Sequence, residues 1–322
     1  MLVREALRTL GLAWRPLYGL ALRVTALTTL VGGGIVAGGF LVGWDSFEAA
    51  RSDAEAAIAA EDSYVAYADQ MDTLEDIGLG VTVLLLALAA AVVCVMQTAH
   101  TVALDHSLDG EGRLTVKELW ARARPHVGVA YWVQWRSWVR VGAIAFLGFA
   151  LWVAVEAGEV PGVERTGIGE TATMQYRIVG WGLPIAIAGL GLLVYFRYCV
   201  ATAALVSENT SSRAAVKRAW ALTKGAPWKT YGIGLLLTAF VVLGFVVLRY
   251  AATPLAHPIG LAMLWLSGDN VWVTGVLVLI TPTAIALLLM PLVVLPPVCT
   301  VVAQLYRDLR VLESDGRVTS AV

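Results

Sequence analysis

Apolar residues run almost uninterrupted by charge through six stretches of the chain, at 24–44, 77–100, 139–157, 178–198, 230–250 and 271–303. A helix needs about 20 such residues to cross roughly 30 Å of hydrocarbon, because every backbone amide must find its partner inside the segment. The pattern predicts an all-α polytopic membrane bundle of six transmembrane helices, a single integral domain over 1–322. The third stretch is the shortest, charge-free only from Val141 to Val155. There Arg140 can lay its aliphatic stem along the helix, with Trp135, Trp138 and Trp152 as interfacial belt residues. The sixth carries Pro282, Pro291, Pro296 and Pro297 and predicts a kinked or partly unwound helix, followed by a short tail at 307–322. Arg4, Arg8 and Arg15 before the first stretch superficially look like a secretion signal, but the run is about 20 residues and has no A-x-A-like site, so it reads as a retained span.

Composition agrees with the pattern. Hydrophobic residues make up 58% of the 322, charged residues 15%, and the mean hydropathy is +0.74, far from a soluble globular domain. With a net charge of −1 there is no basic excess to serve as a nucleic-acid surface. The basic residues are unevenly placed. Eighteen fall in the N-terminal flank, the second and fourth loops and the C-terminal tail, three in the intervening loops, and Arg197 and Arg249 sit near helix ends as snorkelling anchors. The positive-inside rule then puts both termini in the cytoplasm of a multi-pass plasma-membrane protein.

Three basic amphipathic stretches each precede an outward-going helix: REALRTLGLAWRP from Arg4, VKELWARARP from Val116 and VKRAWALTKGAP from Val216. Cys94, Cys199 and Cys299 fall late in the three returning helices, spaced 105 and 100 residues apart. Together they suggest three copies of an interfacial helix plus a transmembrane hairpin, with coincidence as the alternative. The stretch after Ser211 carries helix punctuation, an N-cap serine, Gly225 and then Pro227. Arg213, Lys217, Arg218 and Lys224, with Trp220, are its candidate contacts to lipid headgroups or a partner, or simply charges that hold a connector down.

Two segments carry a family resemblance. SSRAAVKRAWALTKGAPWKTYGIGLLL from Ser211 and QLYRDLRVLESDG from Gln304 resemble the recognisable segments of the glycerophosphoryl diester phosphodiesterase membrane-domain family and related six-helix bacterial membrane proteins. The matching positions are Ala215, Arg218, Ala219, Trp220, Leu222 and Gly225, then Leu305, Tyr306, Asp308, Leu309, Arg310 and Glu313. Leu312 and Ser314 depart from the pattern, where a basic residue and a glycine are usual. The resemblance implies the six-helix membrane unit, and Tyr306, Asp308 and Arg310 as its signature tail. It does not imply hydrolase chemistry, which in fused relatives belongs to a separate soluble barrel.

No constellation points to catalysis, a metal or a cofactor. Asp69, Asp72 and Asp76 are parted from Asp105 and Asp109 by a whole span, so they cannot share one metal-bound pyrophosphate. His100, His106 and His126 match no compact ligand spacing, and no Walker A or nucleophile-elbow motif occurs. The i, i+4 pairs Gly34/Gly38 and Gly39/Gly43 read as a packing face, or as a break lining a substrate path. The expected function is a non-enzymatic scaffold or accessory protein whose partners are membrane lipids and another protein in the membrane or at its cytoplasmic face. The alternatives are a small transporter or lipid-handling protein, with Gln97, Arg197, Thr281 and Thr283 lining a cavity among helices one, four and six, and, further off, an intramembrane enzyme.

Overall fold

The computed structural model describes residues 2–61, 69–108, 114–163 and 172–316. Asp109, Arg113, Arg165 and Arg317, used in the sequence argument, lie outside them. In chain order the helices are α1 (Leu2–Leu12), α2 (Trp14–Val42), α3 (Trp44–Ala59), α4 (Met71–Leu108), α5 (Val116–Glu156), α6 (Met174–Tyr176), a π-helical segment (Arg177–Gly182), α7 (Leu183–Tyr198), α8 (Ala201–Glu208), α9 (Ser212–Gly225), α10 (Pro227–Leu266), α11 (Val271–Val293) and α12 (Leu295–Ser314). No strand occurs among the described residues. Six stretches are long and apolar enough to cross a membrane: α2, α4, α5, the run from α6 through α8, α10 and α11. The protein is an all-α polytopic bundle.

The helices outrun the apolar stretches that predict them. At 1.5 Å per residue, the 38, 41 and 40 residues of α4, α5 and α10 make rods of about 60 Å, twice the hydrocarbon thickness. The stretch from Val116 is therefore no separate interfacial helix. It forms the first turns of α5, started by a capping box in which Thr115 accepts from the Glu118 amide and Glu118 accepts from the Thr115 amide. Pro125 does not end it, because Pro125 and Ala121 are exposed and the carbonyl that loses its donor faces outward. Likewise α10 continues through Pro254 and Pro258 to Leu266, across much of the expected loop 253–270. The N-terminal and Ser211 stretches do form their own helices, α1 and α9.

The sixth span breaks where its prolines require. α11 stops at Val293, Val294 interrupts, and α12 restarts with Pro296 and Pro297 in its first turn, where a missing amide costs nothing. The chain beyond 306 is only partly a tail: α12 runs to Ser314 and Leu309 is fully buried.

The spans pair as three hairpins, α2 with α4, α5 with α7 and α10 with α11. Glycines set the closest approaches. A Cβ on Gly39 of α2 would meet Val81 of α4 at 2.6 Å, one on Gly148 of α5 would meet the Pro184 carbonyl at 3.0 Å, and one on Gly260 of α10 would collide with Val278 of α11. Between hairpins, Gly234 of α10 receives the buried ring of Phe196. Gly33, Gly34 and Gly38 of α2 instead have nothing within 4 Å of a built Cβ. The densest core lies at one end, where α1, α8, α9, α12 and the near ends of α4 and α5 meet around Leu205, Leu222, Leu305, Tyr306 and Leu309. This is the basic end of the molecule.

Replacing Gly234 with Ala drives a methyl to within 2.5–2.7 Å of Phe196 ring atoms and is expected to destabilise the bundle by about 1–3 kcal/mol. Gly33→Ala meets open space and is expected to be neutral or to stabilise by up to about 1 kcal/mol. Thermal unfolding of both variants in detergent checks the contrast.

Candidate functional site

The motif segments from Ser211 and Gln304, far apart in sequence, meet at the basic end. α9 starts at Ser211, whose hydroxyl accepts from the Ala214 amide, and turns Ala215, Ala219 and Leu222 into the core. That rotation brings Arg218 between α8 and α12. Its Nη1 and Nη2 donate to the two oxygens of Glu313 at 2.8 and 2.6 Å, and its Nε donates to Glu208 at 3.0 Å. The buried Tyr306 donates its hydroxyl to the same Glu208 oxygen at 2.7 Å, and the Arg310 guanidinium lies 5.9 Å from the Tyr306 ring centroid. Lys229 donates to Asp308 at 2.9 Å, and Gln304 reaches Glu5 of α1 at 3.1 Å.

Arg218, grouped in the sequence with headgroup contacts, is thus turned inward and neutralised by two carboxylates. A bidentate guanidinium–carboxylate pair is the strongest form such a contact takes. It holds the Glu313 carboxyl below the usual carboxylate range, with burial opposing. Burial first, and the bond to Glu208 second, push the Tyr306 phenol up.

The other candidates on α9 behave differently. Arg213, Lys217, Trp220 and Lys224 are exposed. Lys217, Trp220 and Lys224 line an open groove of about 460 Å³, with Val216, Ala221, Arg140 of α5 and Tyr198 of α7. A ladder of alternating cations and rings builds its wall. Arg140 lies over Tyr198 at 5.3 Å, Tyr198 is tilted against Trp220 at 5.4 Å, Arg197 lies over Trp220 at 4.8 Å, and Arg197 Nε donates to the Tyr231 hydroxyl at 2.9 Å. Among the described residues no carboxylate pairs with Arg140, Arg197, Lys217 or Lys224.

No family model, curated protein or solved structure matches the chain. What joins the two segments in the structure is a contact: Arg218 of one binds Glu313 of the other.

The remaining sequence candidates do not converge. Asp72 and Asp105 lie near opposite ends of α4, about 50 Å apart by helical rise. His100 Nδ1 lies 2.7 Å from Thr300 Oγ1, which itself donates to the Pro296 carbonyl, so the imidazole donates to Thr300. Arg122 donates to His106 Nδ1 at 3.0 Å. Among the described residues no group of three His, Cys, Asp or Glu could hold a metal ion. Of the expected cavity lining, Thr281 is bonded within its own helix, Gln97 sits in the packed end of α4, and Arg197 belongs to the aromatic ladder. Arg249 is exposed near the middle of α10.

Sequence reasoning overlooked Glu208, Lys229, Gln304 and Glu5. An available signal was the presence of acids, Glu208 and Glu313, among flanks otherwise rich in Lys and Arg. Arg140 was noticed only as an anchor, and Arg197 as an anchor or as the lining of a different cavity.

Arg218→Met leaves two half-buried carboxylates without their donor and is expected to cost about 1.5–3 kcal/mol. A double-mutant cycle with Glu313→Gln should show strong coupling between the two sites. The sign with pH follows from the depressed Glu313 pKa. Its contribution is complete above the ordinary glutamate value of about 4.3 and is lost as pH falls through the lower folded value. Thermal unfolding between about pH 6 and pH 3 should therefore fall more steeply for the wild type than for Glu313→Gln.

Proposed function

We propose that this is a non-enzymatic plasma-membrane protein, both termini cytoplasmic, that serves as a scaffold or accessory partner for another membrane protein. The observation that carries the reading is the uncovered glycine face of α2. Gly32 and Gly39 of this helix, and Gly43 just after it, face the chain's own side chains, whereas Gly33, Gly34 and Gly38 are open. An i, i+4 pair of small residues lets a second helix approach closely in lipid, where packing rather than hydrophobic burial drives association. Support also comes from the low internal coverage of the spans: between 6% and 22% of each apolar window is buried within the chain. The basic end, rigidly clasped through Arg218, supplies a fixed platform at the membrane face. The proposed orientation rests on the distribution of Lys and Arg.

Gly34→Ile and Gly38→Ile separate association from folding, because a Cβ built at either position meets nothing within 4 Å. Photo-crosslinkers on α2 should yield one stoichiometric membrane-protein adduct in the native membrane, lost in both variants, with unfolding temperature unchanged or slightly raised. Adducts with lipid alone, or a protein adduct indifferent to both variants, would sink the scaffold reading. For orientation, cysteines introduced at the exposed Glu48 and Arg213 should differ. A membrane-impermeant maleimide should label Glu48→Cys in intact cells and Arg213→Cys only after permeabilisation; the reverse pattern inverts the topology.

A further inference from the structure

We propose that the groove between α5, α7 and α9 is a headgroup site for an anionic phospholipid. Its depth fits. The charge-free run of α5 ends at Arg140 and that of α7 ends at Arg197, so the groove begins where the apolar surface of both helices stops. This is the level at which a phospholipid places its phosphate. The charge also fits. Arg140, Lys217 and Lys224 line the groove, Arg197 stands behind Trp220, and among the described residues no carboxylate pairs with any of the four. Next to Lys217 on α9, Arg218 has two carboxylates, and Lys229 in the first turn of α10 has one. The protein places acids where cations are to be cancelled and leaves them out of the groove.

The groove is preorganised for an anion. The rings of Tyr198 and Trp220 hold Arg140 and Arg197 by their faces, which fixes the guanidinium planes while leaving their N–H edges able to donate. Lys217 and Lys224, seven residues apart, come from one face of α9 two turns apart and offer compact charges that can meet a phosphate from its other side. Val216 and Ala221 form the apolar floor. Further into the apolar run of α7, the exposed Leu190 and Leu193 offer acyl chains an apolar surface. The site stands whether or not the scaffold reading holds, since none of its residues belongs to the α2 face.

The test is native mass spectrometry of the delipidated full-length protein, offered phosphatidylglycerol or phosphatidylcholine with the same acyl chains. The wild type should retain phosphatidylglycerol preferentially. The triple variant Arg140→Gln/Lys217→Gln/Lys224→Gln should weaken that retention about 100-fold, at about fivefold per basic residue lost. Lys217→Glu alone, at an exposed position that disturbs no packing, should weaken it in the same direction, and Arg213→Gln, an exposed cation of α9 outside the groove, should leave it intact. Millimolar inorganic phosphate should not displace the lipid. Equal retention of the two lipids, retention indifferent to Lys217→Glu and the triple variant, or displacement by inorganic phosphate would each overturn the assignment, the last by showing that the groove takes free phosphate.

Discussion

The contact on which the basic end depends is the Arg218 guanidinium held between Glu208 of α8 and Glu313 of α12. Each of these residues lies on a different helix, and each helix leads from or into a different span. α8 continues the span through α7, α9 leads into α10, and α12 follows α11. A planar donor with five N–H groups in fixed directions can satisfy two carboxylates and so fix three helices relative to one another. A lysine there would present a point charge and leave their orientation loose. Tyr306, bonded to Glu208 from the apolar side, carries the same clasp into the core beneath Leu305 and Leu309.

Why such a clasp belongs at the end, rather than among the spans, follows from the solvent on either side. In water, apolar side chains collapse on one another, and the helices that protrude past the lipid bury Leu205, Leu222, Leu305 and Leu309 almost completely. In lipid that force is absent, since an acyl chain suits a leucine as well as another leucine does. There the helices meet where shape allows close approach, as at Gly39, Gly148, Gly234, Gly244 and Gly260, and leave much apolar surface uncovered. The molecule thus has a cohesive end and loosely covered shafts, and its lipid-facing glycines on α2 remain available to another helix.

The six spans were legible because hydrocarbon thickness imposes a length on the apolar run that no other context demands. The break before Pro296 was legible for an equally local reason, the missing amides of two successive prolines. The reach of α5 and α10 was not. Both helices run through prolines, Pro125 in α5 and Pro254 and Pro258 in α10, which lie on an exposed face, where an orphaned carbonyl is not trapped in the core and the helix continues. The capping box of Thr115 and Glu118 was visible in the letters, yet it marks the start of a 41-residue rod as readily as that of a short interfacial helix.

The site was half legible for a related reason. Sequence alone showed a basic helix with residues Arg213, Lys217, Arg218 and Lys224, and nothing in their spacing ranks one above another. Their fates depend on the 100° step of the helix and on what lies across it. Arg218 rotates onto the face that carries Ala215, Ala219 and Leu222, and meets acids brought there by chain segments ten and ninety-five residues away. Lys217 and Lys224 rotate onto the opposite side, where Tyr198 and Arg140 arrive from two spans and, among the described residues, no acid does. One helix thereby divides its cations into a structural one, cancelled by its own chain, and a set left uncancelled at the membrane surface. The second set meets no carboxylate among the described residues, and that pattern is what the proposed headgroup site rests on.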